Sequence, residues 1–404
     1  MNTGLTFTKA DLVESGDAVI SYGQIHSGLN DKVHIKPELI RYIPKSISKS
    51  SDSALVSKGS FIFADTSEDR EGCGNAVYID TSDKIYAGYH TIVFRRNDEN
   101  GKYLAYLFQT DAWRSQIRSQ VSGVKVYSIT QTILSSTLVI LPPGQEQEAI
   151  AAWLDEKCEE IDAAITKVDR EIELIDELKQ SEISRVVTRG LNPDTPLRPS
   201  GIDWIGDIPE HWTKCRLKFI GSARNGLTYS PSDVKDSGKL VIRSSNIQDS
   251  KLNYDDCVFV ANYPETLSVN SGDTIICSRN GSINLIGKSV FIEDDIDVTF
   301  GAFMMRFRPY EHPKYSHYLL SIAISRYKGL FATTTINQLT ADSLGKMEAV
   351  MPPYMEQVQI ADYLDKKCTA IDGLKAKLIK KRETLTELRQ SIISEVVTGK
   401  RKVI

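Results

Sequence analysis

The chain has 404 residues, 41% of them hydrophobic, and a formal net charge of −4. This length allows two or three domains with well-filled cores, and the slight acidic excess is atypical of a protein that binds nucleic acid unaided. The sequence has no run of about 20 apolar residues and no signal-peptide profile at its start, so we expect a cytoplasmic protein without membrane contact.

Cysteine and motif patterns argue against catalysis or metal binding by this chain. The six cysteines form no CxxC pair, and the sequence contains neither an HxxxH motif nor a Gly-Lys-Ser/Thr phosphate loop. Met351-Pro-Pro-Tyr354 differs from the Asn-Pro-Pro-Tyr motif of amino-methyltransferases at the asparagine, and its repeat counterpart is Leu141-Pro-Pro-Gly144. We therefore expect a non-catalytic chain without a metal or cofactor of its own, and a free methyltransferase or nuclease is the rival hypothesis.

Residues 1–140 are predicted to form a first strand-rich domain. Short apolar runs are separated by Gly, Ser, Asn and Asp, which is typical of strands joined by turns; the runs are Asp17–Ile20, Ser60–Phe63, Ala76–Ile79 and Thr91–Phe94. One helix is predicted from Tyr103 through Trp113 to Val121, because apolar residues recur there at helical spacing.

Four further segments follow in the chain. Residues 141–190 are predicted to be a long helix that starts after Pro142-Pro143. Residues 191–213 contain several prolines and are predicted to be a linker. Residues 214–350 are predicted to form a second strand-rich domain that opens with a strand at Arg216–Ile220, and residues 351–404 a second long helix.

The two halves of the chain are an internal repeat. Pro142 and Pro352 stand 210 residues apart (352 − 142 = 210), and the two long helices align at this offset without a gap. Gly4-Leu-Thr-Phe7 likewise matches Gly226-Leu-Thr-Tyr229. Since the domains share a pattern but differ in loop length, we expect one scaffold that carries two different sets of loops.

Both predicted helices have an apolar seam that requires a partner helix. Residues 145–190 carry 13 acidic and 6 basic side chains, whereas residues 355–402 carry 7 acidic and 11 basic ones. Opposite net charge favours pairing of the two helices as an antiparallel coiled coil. The seam and partner-docking residues are predicted to be Gln147, Ile150, Leu154, Ile161, Ile165, Ile172, Leu178, Gln357, Ile360, Leu364, Ile371, Leu378, Leu385 and Leu388.

Polar residues in the predicted loops, together with Arg114 and Arg118 on the predicted helix, are candidates for DNA contact, because such side chains match hydrogen-bond patterns on base edges. In the first domain the candidates are Tyr22, Gln24, His26, Arg70, Arg114, Arg118 and Lys125. In the second domain they are Tyr229, Arg243, Ser244, Asn246, Arg279, Asn280, Thr334 and Asn337. Polar loops are commonly just solvated, but the recurrence of these clusters in both repeats favours DNA contact.

Several long motifs together resemble those of the specificity subunits of Type I restriction-modification systems. They are LPPGQEQEAIAAWLDEKCEEID with its second copy, LKQSEISRVVT with its second copy, and the GIDWIGDIPEHW segment that follows the linker. The resemblance implies an α+β fold with a pseudo-two-fold internal repeat, in which two similar recognition domains are separated by two helices that form an antiparallel coiled coil. Each domain would read one half of a bipartite asymmetric DNA site.

The resemblance also implies partners. The helices would set the spacing between half-sites and dock two modification subunits, which bind S-adenosylmethionine and methylate adenine. Restriction subunits that use ATP and Mg²⁺ would complete the complex. The alternatives are a specificity subunit of a related fused or two-subunit system, and a coiled-coil scaffold that does not read DNA.

The first repeat departs from the second at its start. Gly4 corresponds to Gly226, so the first repeat has no equivalent of residues 201–225. We therefore expect that the first recognition domain lacks an opening strand, that another segment completes it, or that the sequence reflects a late translation start.

Overall fold

The computed structural model describes residues 2–49, 52–96, 101–331 and 337–403. The chain forms two compact units. Unit 1 comprises Met1–Arg170 and Leu378–Ile404, and unit 2 comprises Glu171–Lys377. The unit boundaries cut through two long helices, so each unit contains one part of both.

Among its described residues, unit 1 has ten short strands and five short helices before the first long helix. The strands are β1 (Asn2–Thr3), β2 (Asp17–Ile20), β3 (Arg41–Ile43), β4 (Leu55–Val56), β5 (Phe61–Ala64), β6 (Thr66–Ser67), β7 (Ala76–Tyr78), β8 (Ile85–Ala87), β9 (Thr91–Phe94) and β10 (Tyr127–Ser128). The helices are α1 (Tyr22–Ile25), α2 (Lys45–Ser48), α3 (Lys102–Leu107), α4 (Asp111–Arg118), α5 (Gln131–Ser135) and the long α6 (Gly144–Arg189).

Two four-stranded sheets enclose a core in unit 1. Their strand orders are β1-β9-β5-β7 and β3-β2-β8-β4, and β2 and β8 run parallel. Ile20 and Ile85 of one sheet pack with Ile62 and Val93 of the other. The opposite face of the first sheet buries Phe61 against the short helices and both long helices. The predicted strands of this domain are confirmed.

The single helix predicted over Tyr103–Val121 is wrong, because the structure has two helices, α3 and α4. Thr110 lies between them in an extended conformation, and its side-chain oxygen accepts a hydrogen bond from the Trp113 amide at 3.4 Å. A capping threonine of this kind starts a new helix.

In the part of unit 2 that the structure describes there are sixteen strands and, besides the long helices, two helices. The strands are β11 (Leu197–Pro199), β12 (Asp207–Pro209), β13 (Thr213–Arg216), β14 (Gly221–Asn225), β15 (Val234–Lys235), β16 (Lys239–Ile242), β17 (Ile247–Gln248), β18 (Lys251–Leu252), β19 (Phe259–Val260), β20 (Thr274–Cys277), β21 (Arg279–Asn280), β22 (Ser289–Phe291), β23 (Val298–Phe300), β24 (Met304–Pro309), β25 (Asn337–Gln338) and β26 (Glu348–Met351). The helices are α7 (Pro313–Tyr327), α8 (Ala341–Lys346) and the second long helix α9 (Tyr354–Val397).

The sheets of unit 2 repeat those of unit 1. The order β14-β24-β20-β22 corresponds to β1-β9-β5-β7, and the parallel pair β16–β23 corresponds to β2–β8. Ile242 and Phe300 pack with Ile275 and Met304 in the core between the sheets. The expected internal repeat is therefore present in the fold as well as in the sequence.

Residues 191–213, predicted to be a linker, contain the β11–β12 hairpin, whose strands pair from Leu197↔Pro209 to Pro199↔Asp207. Ile202, Ile208 and Trp212 are buried in the core of unit 2. The apolar residues between the prolines therefore give this segment a packing role. The predicted strand at Arg216–Ile220 is shifted, because β13 ends at Arg216 and β14 begins at Gly221.

The long helices begin after the two Pro-Pro pairs, as predicted, and each unit holds them by the same contacts. In unit 1 the carboxylate of Asp155 on α6 accepts hydrogen bonds from Lys102 and Tyr106, both at 2.7 Å. In unit 2 Asp365 on α9 accepts from Lys314 at 2.7 Å and from Tyr318 at 2.8 Å. Burial and these acceptors raise the pKa of both tyrosine hydroxyls.

The helices run antiparallel within each unit, as the charge pattern predicted. In unit 1 Asp162 pairs with Arg389 at 2.9 Å and Asp169 with Arg382 at 2.6 Å. In unit 2 Asp176 pairs with Lys375 and Lys179 with Asp372, both at 2.7 Å. Three of these four pairs place the acid on α6 and the base on α9, which matches the opposite net charges of the two helices.

Most of the predicted seam residues are buried or half-buried. Ile150, Leu154, Ile360 and Leu364 lie in the cores of their units, and Ile161, Ile165, Ile371 and Leu385 follow further along the helices. Gln147, Ile172 and Leu378 are half-buried, and Gln357 is buried. Leu178 and Leu388 are exposed. The prediction of a buried seam is therefore wrong at these two leucines, although Ile183 and Ile392 further along the helices are buried.

Candidate nucleic-acid interface

The first candidate cluster lies at the carboxyl end of β2 in unit 1. Ser21 precedes α1, and its amide donates to the Gln24 side-chain oxygen at 3.1 Å. Gln24 therefore helps to cap the helix, as expected of a glutamine at this position. The helix places Tyr22 and His26 on one side, with their ring centroids 4.7 Å apart.

Both ring nitrogens of His26 have partners. Nε2 lies 3.0 Å from the Thr66 carbonyl oxygen, and Nδ1 lies 3.1 Å from the side-chain nitrogen of Asn75. A carbonyl can only accept, so Nε2 carries the proton and Nδ1 accepts from Asn75. These two contacts fix the orientation of the ring beside Tyr22.

Arg114 on α4 joins the same cluster. Its guanidinium donates to the Glu71 carbonyl oxygen at 3.1 Å and to the Asn75 side-chain oxygen. Its Nε is buried and has no hydrogen-bond partner among the described residues. Burial and the neighbouring Arg118 lower the pKa of Arg114. Arg118 itself pairs with Glu71 and Asp111, so its charge is neutralised locally.

An open cavity of about 480 Å³ runs beside these groups. It is lined by Tyr22, His26, Lys32, Ser67, Glu68, Asp69, Glu71, Gly72, Asn75 and Arg114. Burial, together with the charges of Arg114 and Arg389, lowers the pKa of Lys32 to about 8. The cavity therefore presents cations, carboxylates and a fixed imidazole, a mixture that can donate to and accept from base edges.

Four predicted residues of unit 1 do not line this cavity: Gln24 and Arg118, described above, and Arg70 and Lys125. Arg70 is exposed, and its guanidinium carbon lies 5.5 Å from the centre of the Tyr127 ring. Lys125 is exposed next to Val124. Exposed cations of this kind are free to reach phosphates, and a stacked arginine can also contact a base.

In unit 2 the equivalent cluster follows β16. Arg243 forms an ion pair with Asp256 at 2.7 Å, and its Nε is buried without a partner among the described residues. Asn246 is buried, and its side chain bonds to the Arg243 amide and to the Asn253 and Asp256 carbonyls. Asn246 is thus occupied with shaping the loop, and the half-buried Ser244 accepts from Lys288 at 3.3 Å through its carbonyl oxygen.

The remaining predicted residues of unit 2 lie on the β21–β25 ladder and near Gly301. Arg279 pairs with Gln338 and Asn280 with Asn337 in the strand register. The Arg279 guanidinium carbon lies 5.7 Å from the Phe303 ring centre, and Phe303 is exposed. Tyr229 is half-buried near Gly301. Thr334 lies outside the described residues.

The same two positions of the repeat thus carry the candidate groups in both units. One is the carboxyl end of the parallel strand, β2 or β16, and the other is the short ladder, β6–β10 or β21–β25. Each ladder has an arginine over an aromatic ring close to it. Sequence reasoning missed Lys32, Asn75 and Phe303, because each lies in a loop that is distant in sequence from the predicted residues beside it.

A second cavity, of about 550 Å³, lies in unit 2 beside both long helices. Lys314, His317 and Asp365 are among its lining residues. Burial lowers the pKa of His317 to about 4, so the ring is neutral near pH 7. Among the described residues, no group of three or more His, Cys, Asp or Glu side chains is arranged to hold a metal ion.

None of the helices described in the structure is both long and apolar enough to cross a membrane. The repeated α+β units with paired long helices define an α+β protein with an internal structural repeat. The family model described as "Type I restriction modification DNA specificity domain" matches residues 1–174 and 209–381. The chain belongs to this family.

Curated relatives and solved structures agree with this assignment. The chain is 28% identical over 204 residues to the Type I restriction enzyme StySPI specificity subunit of Salmonella potsdam, and 28% over 206 residues to the EcoKI specificity subunit of Escherichia coli strain K12. Each match covers 48% of this chain and 44% of the relative, so the chain spans less than half the length of these two proteins in the matched regions.

A solved structure described as the "Structural basis underlying complex assembly and conformational transition of the type I R-M system" contains a chain with the same fold. That chain superposes with a TM-score of 0.70 at 18% identity. The match covers 98% of this chain and 95% of the other. At this level of identity the similarity establishes the fold.

Proposed function

We propose that the chain is the DNA-specificity subunit of a Type I restriction-modification complex and that each unit reads one half of a bipartite asymmetric site. One observation carries this proposal: the same two positions of both repeats display cationic and aromatic side chains, but the side chains differ between the units. A shared scaffold with different contact residues is what two different half-sites require.

In unit 1 the proposed reading surface consists of the cavity beside His26 and of the exposed Arg70. In unit 2 it consists of Arg243 and its loop together with Arg279 and Phe303. Arg114 and Arg243 both have a buried Nε without a partner among the described residues, which is the arrangement expected of groups that gain an acceptor when a ligand binds. The predicted contact residues are retained as proposals, with Asn246 and Gln24 in supporting positions.

The helices would set the spacing between half-sites. Each is unbroken, over Gly144–Arg189 and Tyr354–Val397, and a helix rises about 1.5 Å per residue. Deleting seven residues from each helix preserves the seam and should shorten the preferred spacer or abolish function. An unchanged spacer would contradict this role.

We further propose that the chain itself is non-catalytic and that it docks two modification subunits. S-adenosylmethionine would be bound by those subunits, and ATP and Mg²⁺ by restriction subunits in the full complex. The net charge of −4 supports this division: a chain with little positive charge releases few counterions on binding DNA. We expect weak duplex binding by the chain alone and salt-sensitive, specific binding once the modification subunit is added.

The test is to map methylated adenines in a host that carries this chain and its modification subunit. Exchange of residues 214–340 for those of another family member should change one half-site and leave the other intact. Arg279→Ala should reduce methylation through the same half-site, whereas Arg70→Ala should act through the other half. Lys380→Ala, on the exposed side of α9, is the matched control and should leave the pattern unchanged.

The outcomes separate the rival functions. A pattern unaffected by the exchange would support a scaffold that does not read DNA. Methyl transfer or cleavage by the purified chain alone would support the enzyme hypothesis. Nanomolar duplex binding by the isolated chain at physiological salt would contradict the proposed dependence on partner subunits.

A further inference from the structure

The loop that joins α4 to β10 in unit 1 holds an apolar side chain out in solvent. Val124 is 95% exposed. The backbone on either side of it is tightly packed, because a Cβ atom on Gly123 would lie 2.1 Å from the Val126 carbonyl oxygen. The Ser128 amide also donates to the Ser122 carbonyl oxygen at 3.5 Å. The loop is thus closed at its base and carries the valine at its outer tip.

This tip belongs to the surface that is proposed to read DNA. Three residues after Val124, Tyr127 begins β10 and pairs with Ser67 of β6. The Arg70 guanidinium carbon lies 5.5 Å from the centre of the Tyr127 ring, and Lys125, next to the valine, is exposed. The exposed apolar group therefore has cations beside it that can reach phosphates.

The same position of the second repeat carries a polar side chain of similar shape. At the 210-residue offset Val124 corresponds to Thr334 (334 − 124 = 210), one of the predicted contact residues. Valine presents two methyl groups, whereas threonine presents one methyl group and one hydroxyl, which both donates and accepts hydrogen bonds. A difference in polarity at one position of a shared scaffold is what two units need in order to read different base edges.

The chemistry of Val124 matches one group on the base edges of DNA. The major groove displays hydrogen-bond donors and acceptors, and the thymine 5-methyl is the apolar group among them. Valine is short and stiff at χ1, so it suits contact with a methyl group, whereas Phe, Leu, Ile, Met and Pro are the usual wedges between stacked bases. We propose that Val124 contacts the 5-methyl group of a thymine and makes unit 1 select a T·A pair at that position. The inference rests on the proposed function, since it names one contact of the unit 1 half-site.

A partner protein is the competing occupant of the tip. The apolar surface there consists of Val124 and of Val126, which is 51% exposed, next to the charged Lys125. The core of a protein interface is depleted in charge and rich in large aromatic side chains. Two valines beside a lysine do not form such a core, whereas a narrow tip with a cation suits a groove lined by phosphates.

The test uses the full chain in complex with its modification subunit and duplexes of the methylated site. The half-site of unit 1 is the one that stays intact when residues 214–340 are exchanged. Each thymine of that half-site is replaced in turn by deoxyuridine, which lacks the 5-methyl group and keeps every hydrogen-bonding group. One replacement should weaken binding about fourfold, the effect of removing one methyl group from an apolar contact, and the others less than about 1.5-fold.

Variants of the loop assign the effect to one side chain. Val124→Ala should weaken binding of the thymine duplex about fourfold and should abolish the difference between the thymine and deoxyuridine duplexes. Folding should be intact, because the deleted methyl groups are exposed. Lys125→Gln should weaken all duplexes equally and keep the difference. Val13→Ala is the matched control: this valine is 40% exposed, lies beside Gly16 at the amino end of β2, and should change neither affinity nor the difference.

The outcomes separate this contact from its alternatives. A unit 1 half-site without thymine on either strand, or deoxyuridine duplexes that all bind as tightly as the thymine duplex, would overturn the proposal. Equal weakening of all duplexes by Val124→Ala would assign the tip to a wedge or a phosphate contact, and loss of the modification subunit would assign it to a protein partner; either result would overturn it as well. A methylated site that the exchange of residues 214–340 leaves unchanged would instead contradict the proposed function, so the two failures are distinguishable.

Discussion

Units 1 and 2 have the same sheet orders and the same contacts to the long helices, but they close their cores differently. Unit 2 adds the β11–β12 hairpin and β13, and it buries Trp212 against the start of α9. Unit 1 has no described strand pair that corresponds to β13–β26. The comparison shows that the two units keep the same helix contacts, in which an aspartate of the long helix accepts hydrogen bonds from a lysine and a tyrosine.

The two candidate surfaces also differ in how they carry charge. In unit 2 Arg243 is neutralised by Asp256, whereas in the cavity of unit 1 burial, together with the charges of Arg114 and Arg389, lowers the pKa of Lys32 to about 8. In unit 1 the half-buried Lys32 lies among both cations and carboxylates, whereas the Arg243 charge in unit 2 has a single carboxylate partner.

The largest expected difference concerns the two tryptophans near the long helices. Trp212→Ala should lower the free energy of unfolding of unit 2 by about 3–5 kcal/mol, because it removes a large, fully buried side chain. Trp153→Ala in unit 1 should cost less than half as much, since Trp153 is partly exposed beside Arg401. Hydrogen exchange of peptides from each unit in increasing urea measures both values. Equal losses would show that the burial of Trp212 contributes little.

The next prediction concerns the pH dependence of stability, which a single buried histidine, His317, should give to unit 2. Burial lowers the pKa of His317 from 6.5 to about 4, so the native state binds fewer protons than the unfolded chain between these values. The free energy of unfolding of unit 2 should therefore be highest above pH 6.5 and should fall by about 2–3 kcal/mol as the pH drops to 4. His317→Gln should remove this loss. Urea midpoints between pH 4 and 7 provide the check, and an unchanged pH profile in the variant would contradict it.

The smallest effect should come from two equivalent ion pairs of the helices. Asp162→Asn in unit 1 should cost about 1–2 kcal/mol, because Arg389 is only 13% exposed and would lose its carboxylate. Asp372→Asn in unit 2 should cost less than about 0.5 kcal/mol, since Asp372 is 52% exposed. Thermal unfolding of the two variants measures the difference. A larger cost in unit 2 would contradict this ranking.

Much of the architecture could be predicted from local patterns. Alternating apolar runs located β2, β5, β7 and β9, and the Pro-Pro pairs located the starts of α6 and α9. The opposite charges of the helices predicted their antiparallel pairing. These features depend on side-chain periodicity and net charge, which a sequence displays directly.

Other features depend on contacts between distant residues and could not be predicted in this way. The helix break at Thr110 depends on one capping hydrogen bond. The spacing of apolar residues around it is otherwise helical. The burial of Trp212 turns a proline-rich segment into part of a core. Lys32 comes to the unit 1 cavity only through the fold of its loop, so no local pattern marks it as a neighbour of Arg114.

The division of the chain into units has a consequence for the order of folding during synthesis. Unit 2 is one continuous stretch, Glu171–Lys377, whereas unit 1 needs both Met1–Arg170 and Leu378–Ile404. Ile393 and Val396, near the end of α9, belong to the core of unit 1. The ribosome therefore finishes unit 2 while unit 1 still lacks one wall of its core, and the domain that is translated first completes its folding last.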